Sequence, residues 1–252
     1  SGTAIPAGRT TASGRMRLMA IHWAEGDMPR AEAQMRAALA EEPNQIEALA
    51  ALAWIEVATG RDAAARKTFR EALDRSEGAL EIAAAFARFL VGSGNAKEAE
   101  QLADDLAGPQ GSLDQETVAG RIELERSARR LHRALALVDR AREQGIAEDQ
   151  KTRLALVRAA ILKEQGKTAL ALAALLEVEK GSPLFFEARL RAAELLREDG
   201  KPAEAARTIE EALPLASGDR EPRAGEAAVN LAAIAEKRGD AAAAVSRLGK
   251  RL

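Results

Sequence analysis

The sequence predicts an all-α fold, with about seven antiparallel helix pairs stacked in one extended array. Three observations predict it. The first is a period. Glycines at Gly26, Gly60, Gly94, Gly166, Gly200 and Gly239 are each followed, five residues on, by an alanine: Ala31, Ala65, Ala99, Ala171, Ala205 and Ala244. Ala134 fills the same place in LHRALALVDRA, with Arg129 where the glycine would stand. From alanine to alanine the spacing runs 34, 34, 35, 37, 34 and 39 residues. Self-similarity at such a period is the signature of a stacked repeat. The second is composition. Apolar residues make up 47% of the 252 and aromatics only 3%, with no tyrosine, so alanine and leucine carry the packing. That favours helices at close approach over strands, whose preferred β-branched and aromatic residues are sparse. The third is periodicity within a unit: Leu49, Leu52, Ala53 and Ile55 in a first helix, then Ala65, Phe69, Ala72 and Leu73 at i, i+4, i+7 and i+8 in a second.

Each unit therefore reads as helix, tight turn, helix. The glycine ends the first helix where the chain reverses. The alanine marks where the paired helices press together, and a larger side chain there should cost about 1–3 kcal/mol. In chain order, the opening SGTAIPAGRTTASG is polar, small and glycine-rich; residues 1–12 are expected to form a flexible leader and 13–252 a single solenoid. Units one to three turn at Gly26, Gly60 and the GSGN of 92–95. Unit four, about 113–145, has lost its glycine and follows AGPQGS at 107–112, where a kink or joint is expected. Units five to seven turn at Gly166, Gly200 and Gly239, and the loop 213–224 accounts for the widest spacing. The sequence closes on SRLGKRL; Val245, Leu248 and Leu252 are expected to lack an apolar cover there, either because a longer protein supplies it or because this end self-associates.

The pattern resembles the tetratricopeptide repeat family. Gly26, Ala31, Met35, Ala38, Leu39 and the EEPN ending in Pro43 and Asn44 carry the match in unit one. Gly60, Ala65, Phe69, Ala72 and Leu73 carry it in unit two, and the small residue of the first helix recurs as Ala53, Ala87, Ala159, Ala193 and Ala232. A closing proline recurs at Pro183 in GSP. The resemblance covers about residues 13–252. It implies a right-handed superhelical solenoid whose concave face is lined by the first helix of each unit. The family's early tryptophan and central tyrosine are absent.

Several classes of chemistry find no support. Without cysteine there is no disulfide, thiol chemistry or cysteine-held metal. His22 and His132 are 110 residues apart, and neither has metal-ligand spacing around it. The GSGN glycines follow no strand and make no phosphate cradle, and no serine sits in a GxSxG elbow. The neighbours Asp104–Asp105 and Glu210–Glu211 diverge around a helix rather than converge. Charged residues reach 30%, interleaved in sign, with a net charge of −2, which offers no basic excess for nucleic acid. No apolar run is long enough to span a membrane. The expectation is a chain without catalysis, metal or cofactor.

The resemblance places Met16, Arg17, Ala20, Trp23, Ala50, Trp54, Val57, Ala84, Ala85, Arg88 and Val91 on the concave face of units one to three. This stretch is small and apolar and holds both tryptophans. The matching positions further on are charged or polar: Glu123, Arg126, Lys163, Glu194, Arg197, Asn230 and Glu236. Tryptophan and arginine dominate interface hot spots, and a helix laid in a groove is a common recognition mode. Set against this, the tryptophans could simply fill gaps between repeats. The carboxylate clamp of some family members has no counterpart, since Ala50, Ala51, Ala84 and Ala85 occupy that surface. The expected function is a protein-binding scaffold that takes a peptide or amphipathic helix, in envelope, secretion or polymer-export assembly of a bacterium. A periplasmic or anchored setting, through a segment outside this sequence, is favoured over the cytosol. The alternatives are a self-assembling structural module and the regulatory arm of a larger enzyme or export protein.

Overall fold

The computed structural model describes residues 11–106, 115–144 and 148–212. They form twelve α-helices and, among the described residues, no strand. The chain divides into two compact units, 1–134 and 135–252. The first holds α1 (Ala12–Ala24), α2 (Met28–Glu41), α3 (Ile46–Ala58), α4 (Asp62–Arg75), α5 (Leu80–Gly92), α6 (Ala96–Asp105) and α7 (Gln115–Ser127). The boundary falls inside α8 (Leu131–Glu143). The second unit continues with α9 (Glu148–Glu164), α10 (Thr168–Leu176), α11 (Phe185–Glu198) and α12 (Pro202–Ala212).

These are the paired helices the period predicts, and the turn inside each pair is built the same way. At Gly60 the backbone takes φ +71°, a left-handed conformation that a Cβ disfavours. Its N–H donates to the Val57 carbonyl at 3.0 Å, and the next N–H, of Arg61, to the Glu56 carbonyl at 2.8 Å. This double bond pattern satisfies helix-end carbonyls that would otherwise be orphaned. Gly26, Gly94, Gly166 and Gly200 repeat it, with φ between +74° and +80°. Arg129 repeats it too, at φ +62°, with its N–H on the Arg126 carbonyl and that of Arg130 on Glu125. Unit four has therefore lost the glycine and kept the turn.

The alanine five residues on is fully buried in all six described pairs: Ala31, Ala65, Ala99, Ala134, Ala171 and Ala205 are each 0% exposed. Seen from the chain, this is where α2 meets α1 and α4 meets α3. In the first unit α2 packs in turn on α3, α4 on α5, α5 on α6, and α7 lies along α5. The α5–α7 approach is close enough that a Cβ on Gly120 would come within 2.8 Å of Leu80 Cβ. In the second unit α9 packs on α10, α10 on α11 and α11 on α12. This successive stacking is the all-α solenoid packing that the repeat predicts.

Aromatic residues join neighbouring pairs. Phe69 of α4 stacks on Phe86 and Phe89 of α5 at ring separations of 5.7 and 5.5 Å. In the second unit Phe185 and Phe186 are buried with Leu175 and Ile209 in one cluster. Ion pairs also bridge consecutive pairs: Arg61–Glu32, Arg66–Glu98, Arg88–Glu123 and Lys163–Glu198. Residues 1–10 of the leader, the 107–112 joint, Gly239 with Ala244, and the terminal Val245, Leu248 and Leu252 lie outside the described residues, as do Asn230, Ala232 and Glu236; Thr11 and Ala12, expected in the leader, cap and begin α1 instead.

Candidate functional site

The surface predicted for partners starts on α1. Thr11 caps this helix, its hydroxyl accepting from the Gly14 N–H at 3.2 Å. No residue of α1 is buried. Met16 lies against a cluster of Met35 and Ala38 from α2 and Ala48, Leu52 and Ile55 from α3. Arg17, Ala20 and Trp23 are exposed, and Trp23 keeps 39% of its surface in solvent beside Ile21 at 52%. Ile21 was missed from the sequence because the family register does not place it on the concave face.

On α3 and α5 the predicted residues separate into two kinds. Trp54, Val57 and Val91 are half-buried against one cluster that includes Phe69 and Phe86. Trp54 meets the Phe69 ring edge-on at 5.4 Å, so it packs between repeats as well as facing outward. Ala84 belongs to that cluster and is 1% exposed; it is a core residue and leaves nothing for a partner to touch. Ala50 is half-buried and Arg88 exposed. The Arg88 guanidinium pairs with Glu123 at 3.4 Å, and Glu123 also accepts from Arg126 at 2.8 Å. The charged half of the predicted groove thus begins as an ion-pair ladder. In the second unit Lys163 continues the theme, pairing with Glu198 at 3.0 Å.

Other charges are structural. Glu32 accepts two hydrogen bonds from Arg61, at 2.6 and 3.0 Å. These, helped by Arg36, hold its carboxyl below the usual carboxylate range despite some burial. Burial works against Glu98, yet the hydrogen bonds of Arg66 and Arg70 outweigh it and lower its carboxyl too. Arg189 is buried on α11 and donates to the carbonyls of Leu175, Leu176 and Val178 at the end of α10. Its guanidinium lies 4.2 Å over the Phe185 ring, and burial lowers its pKa. His22 sits 3.3 Å from Glu25, and His132 is exposed. Asp104 and Asp105 are exposed, with Asp104 engaged by Arg130 and Arg133. Among the described residues no three His, Asp or Glu side chains are grouped to hold a metal. No helix among them is long and apolar enough to cross a membrane.

Two family models match the sequence, over residues 22–73 and 154–220, and both describe a tetratricopeptide repeat. The chain is a tetratricopeptide repeat protein. The first match runs from the end of α1 through most of α4, across the turns at Gly26 and Gly60. The second begins within α9 and takes in the turns at Gly166 and Gly200. Among solved structures, a tetratricopeptide repeat protein from Parabacteroides merdae is 17% identical, over 88% of this chain and 84% of that one, with a TM-score of 0.53. PilW, a type IV pilus biogenesis factor, is 18% identical over 95% and 91%, at a TM-score of 0.45. PilF of Pseudomonas aeruginosa is 15% identical over 95% and 90%, at 0.42. The likeness to the Parabacteroides merdae protein is one of fold. No curated protein sequence matches. Tetratricopeptide repeats are protein-binding modules, which directs attention to the open helix faces.

Proposed function

We propose that this tetratricopeptide repeat protein is a non-catalytic scaffold that holds a peptide or amphipathic helix of a partner protein. The proposed surface is Met16, Arg17, Ala20 and Trp23 of α1, continued by Ala50, Trp54 and Val57 of α3 and by Arg88 and Val91 of α5. One observation carries the reading: α1 buries none of its residues and presents Ile21 and Trp23 to solvent. Every phenylalanine of the chain is buried, so the exposed indole stands apart. A rigid, amphipathic ring on an open helix face is the kind of anchor that protein interfaces use. Family membership supports a protein as the ligand. The alanine-, arginine- and glutamate-rich composition supports a bacterial source, and the setting we propose is envelope, secretion or export assembly.

The test is capture of partners by the wild type and by Trp23→Ala, with bound proteins identified by mass. Trp23→Ala is the cleaner variant, because Trp54→Ala also removes the contact with Phe69. Proteins retained by the wild type alone support the surface and name the partner. Equal retention rejects the surface. If the chain retains chiefly itself, the reading passes to self-association through Val245, Leu248 and Leu252.

A further inference from the structure

We infer that the groove between α2, α3 and α4 is a second recognition site, shaped to take a lysine or arginine side chain of a partner protein. It lies apart from the surface proposed above: Glu56 follows Trp54 by two residues on α3, about 200° around the helix. The argument begins with register. Four residues before the left-handed turn residue stands a core position in three pairs, filled by Leu90, Leu162 and Leu196, all 3% exposed or less, while in the first pair the half-buried His22 stands there. In two pairs a glutamate stands there instead. Glu56 and Glu125 are 4% and 6% exposed.

The two glutamates are treated differently. Glu125 has a buried cation, Arg130, at 2.8 Å. The register counterpart of Arg130 is Arg61, and its guanidinium is turned to Glu32. Glu56 receives a hydroxyl hydrogen bond from Thr68 at 2.7 Å and has no ion-pair partner among the described residues. A buried carboxylate at an apolar register is costly unless a cation completes it.

Glu56 and Thr68 line a groove of about 440 Å³ whose walls include Leu39, Leu49 and Leu52. Of the cations at its rim, Arg36 and Arg75 are already engaged, by Glu32 and Glu71, and Lys67 is exposed. A basic side chain suits this geometry at both ends. Its alkyl stem would run along the leucines while its charged head meets the Glu56 carboxylate in a charge-assisted hydrogen bond. The Glu56 carboxylate therefore selects a cationic side chain as the occupant, in competition with Lys67 at the rim.

The test uses the full chain with labelled leucine methyl groups and Nα-acetyl-arginine methylamide as the probe. Saturable shifts at the Leu49 and Leu52 methyls are expected. Glu56→Gln, which can still accept from Thr68, should weaken the response at least about tenfold, and the uncharged citrulline analogue should give none. Trp23→Ala should leave the response unchanged, so failure of this site and failure of the α1 surface are distinguishable. Glu56→Leu, which restores the residue found in other pairs, should abolish the response and raise the melting temperature. The inference is overturned by an absent response in the wild type, by an equal response from citrulline or from Glu56→Gln, or by a lower melting temperature in Glu56→Leu. A response seen only in Lys67→Ala would show that the chain's own rim lysine fills the groove, and overturns it equally.

Discussion

The guanidinium of Arg130 lies 2.8 Å from the Glu125 carboxylate, with both side chains more than nine-tenths buried. Arg130 also reaches Asp104 at 2.7 Å and the Glu100 carbonyl at 2.8 Å, so it ties α6 to the turn between α7 and α8. Removing one partner of such a pair strands the other charge. Arg130→Ala should lower the unfolding free energy by about 3 kcal/mol, read from urea denaturation. Replacing both residues by leucine should recover most of that loss, because an apolar pair avoids the desolvation that the ion pair suffers.

Arg129 holds φ +62° in a place where five other described pairs use glycine. A non-glycine residue in that conformation carries about 1–2 kcal/mol of strain. Arg129→Gly should therefore raise stability by about 1 kcal/mol, and the urea midpoint should move upward without a change of slope.

Ala65 is fully buried between α3 and α4. Ala65→Phe should cost at least about 1–3 kcal/mol of stability, seen as a lower thermal midpoint by circular dichroism. An unchanged midpoint would mean that the helix hairpin does not close on this residue.

Gly120 tests the same idea at the contact of α7 with α5. In an open helix Gly→Ala gains about 1 kcal/mol. Here the added Cβ would sit 2.8 Å from Leu80 Cβ, an atom fixed to the backbone. Crowding should win, and Gly120→Ala should lower the urea midpoint.

Acid should weaken the first unit through Glu32. Its folded carboxyl is held below the usual carboxylate range, chiefly by Arg61, so the unfolded chain binds a proton first as pH falls. The stabilisation is complete above the ordinary carboxylate range and is lost as pH drops through the depressed folded value. Melting temperatures across that window should fall less steeply in Glu32→Gln than in the wild type.

The repeat was legible because two constraints act within a few residues: a left-handed turn at Gly60 and close helix contact at Ala65. Both leave a fixed mark at a fixed spacing. The turn at Arg129 shows the limit of that mark, since the backbone kept its conformation after the glycine had gone. The partner surface was less legible. Exposure depends on what lies across from a residue, and no spacing rule distinguishes Ala84, which is buried, from Trp23, which is open. Arg189, Glu56 and Glu125 did leave a trace that could have been used. Each is charged at a register position that other pairs give to apolar residues: Leu49, Ala83, Val118 and Ala155 in one case, Leu90, Leu162 and Leu196 in the other. Aligning the units by their turns, rather than reading each helix alone, would have singled them out.

The six alike turns have a consequence for how such a gene can change. Each reversal is closed by hydrogen bonds among neighbouring residues, as at Val57, Gly60 and Arg61, and borrows nothing from distant parts of the chain. Joining Thr59 directly to Gly94 would excise 34 residues and leave a complete reversal at the splice, with Asn95 following the glycine in place of Arg61. In-frame duplication or loss of a segment is thereby tolerated at the level of the backbone. What such an event would alter is the cross-links made from one segment to the next, Arg61 with Glu32 among them. Copy number is free to drift, while the pairing of adjacent copies is what selection must repair.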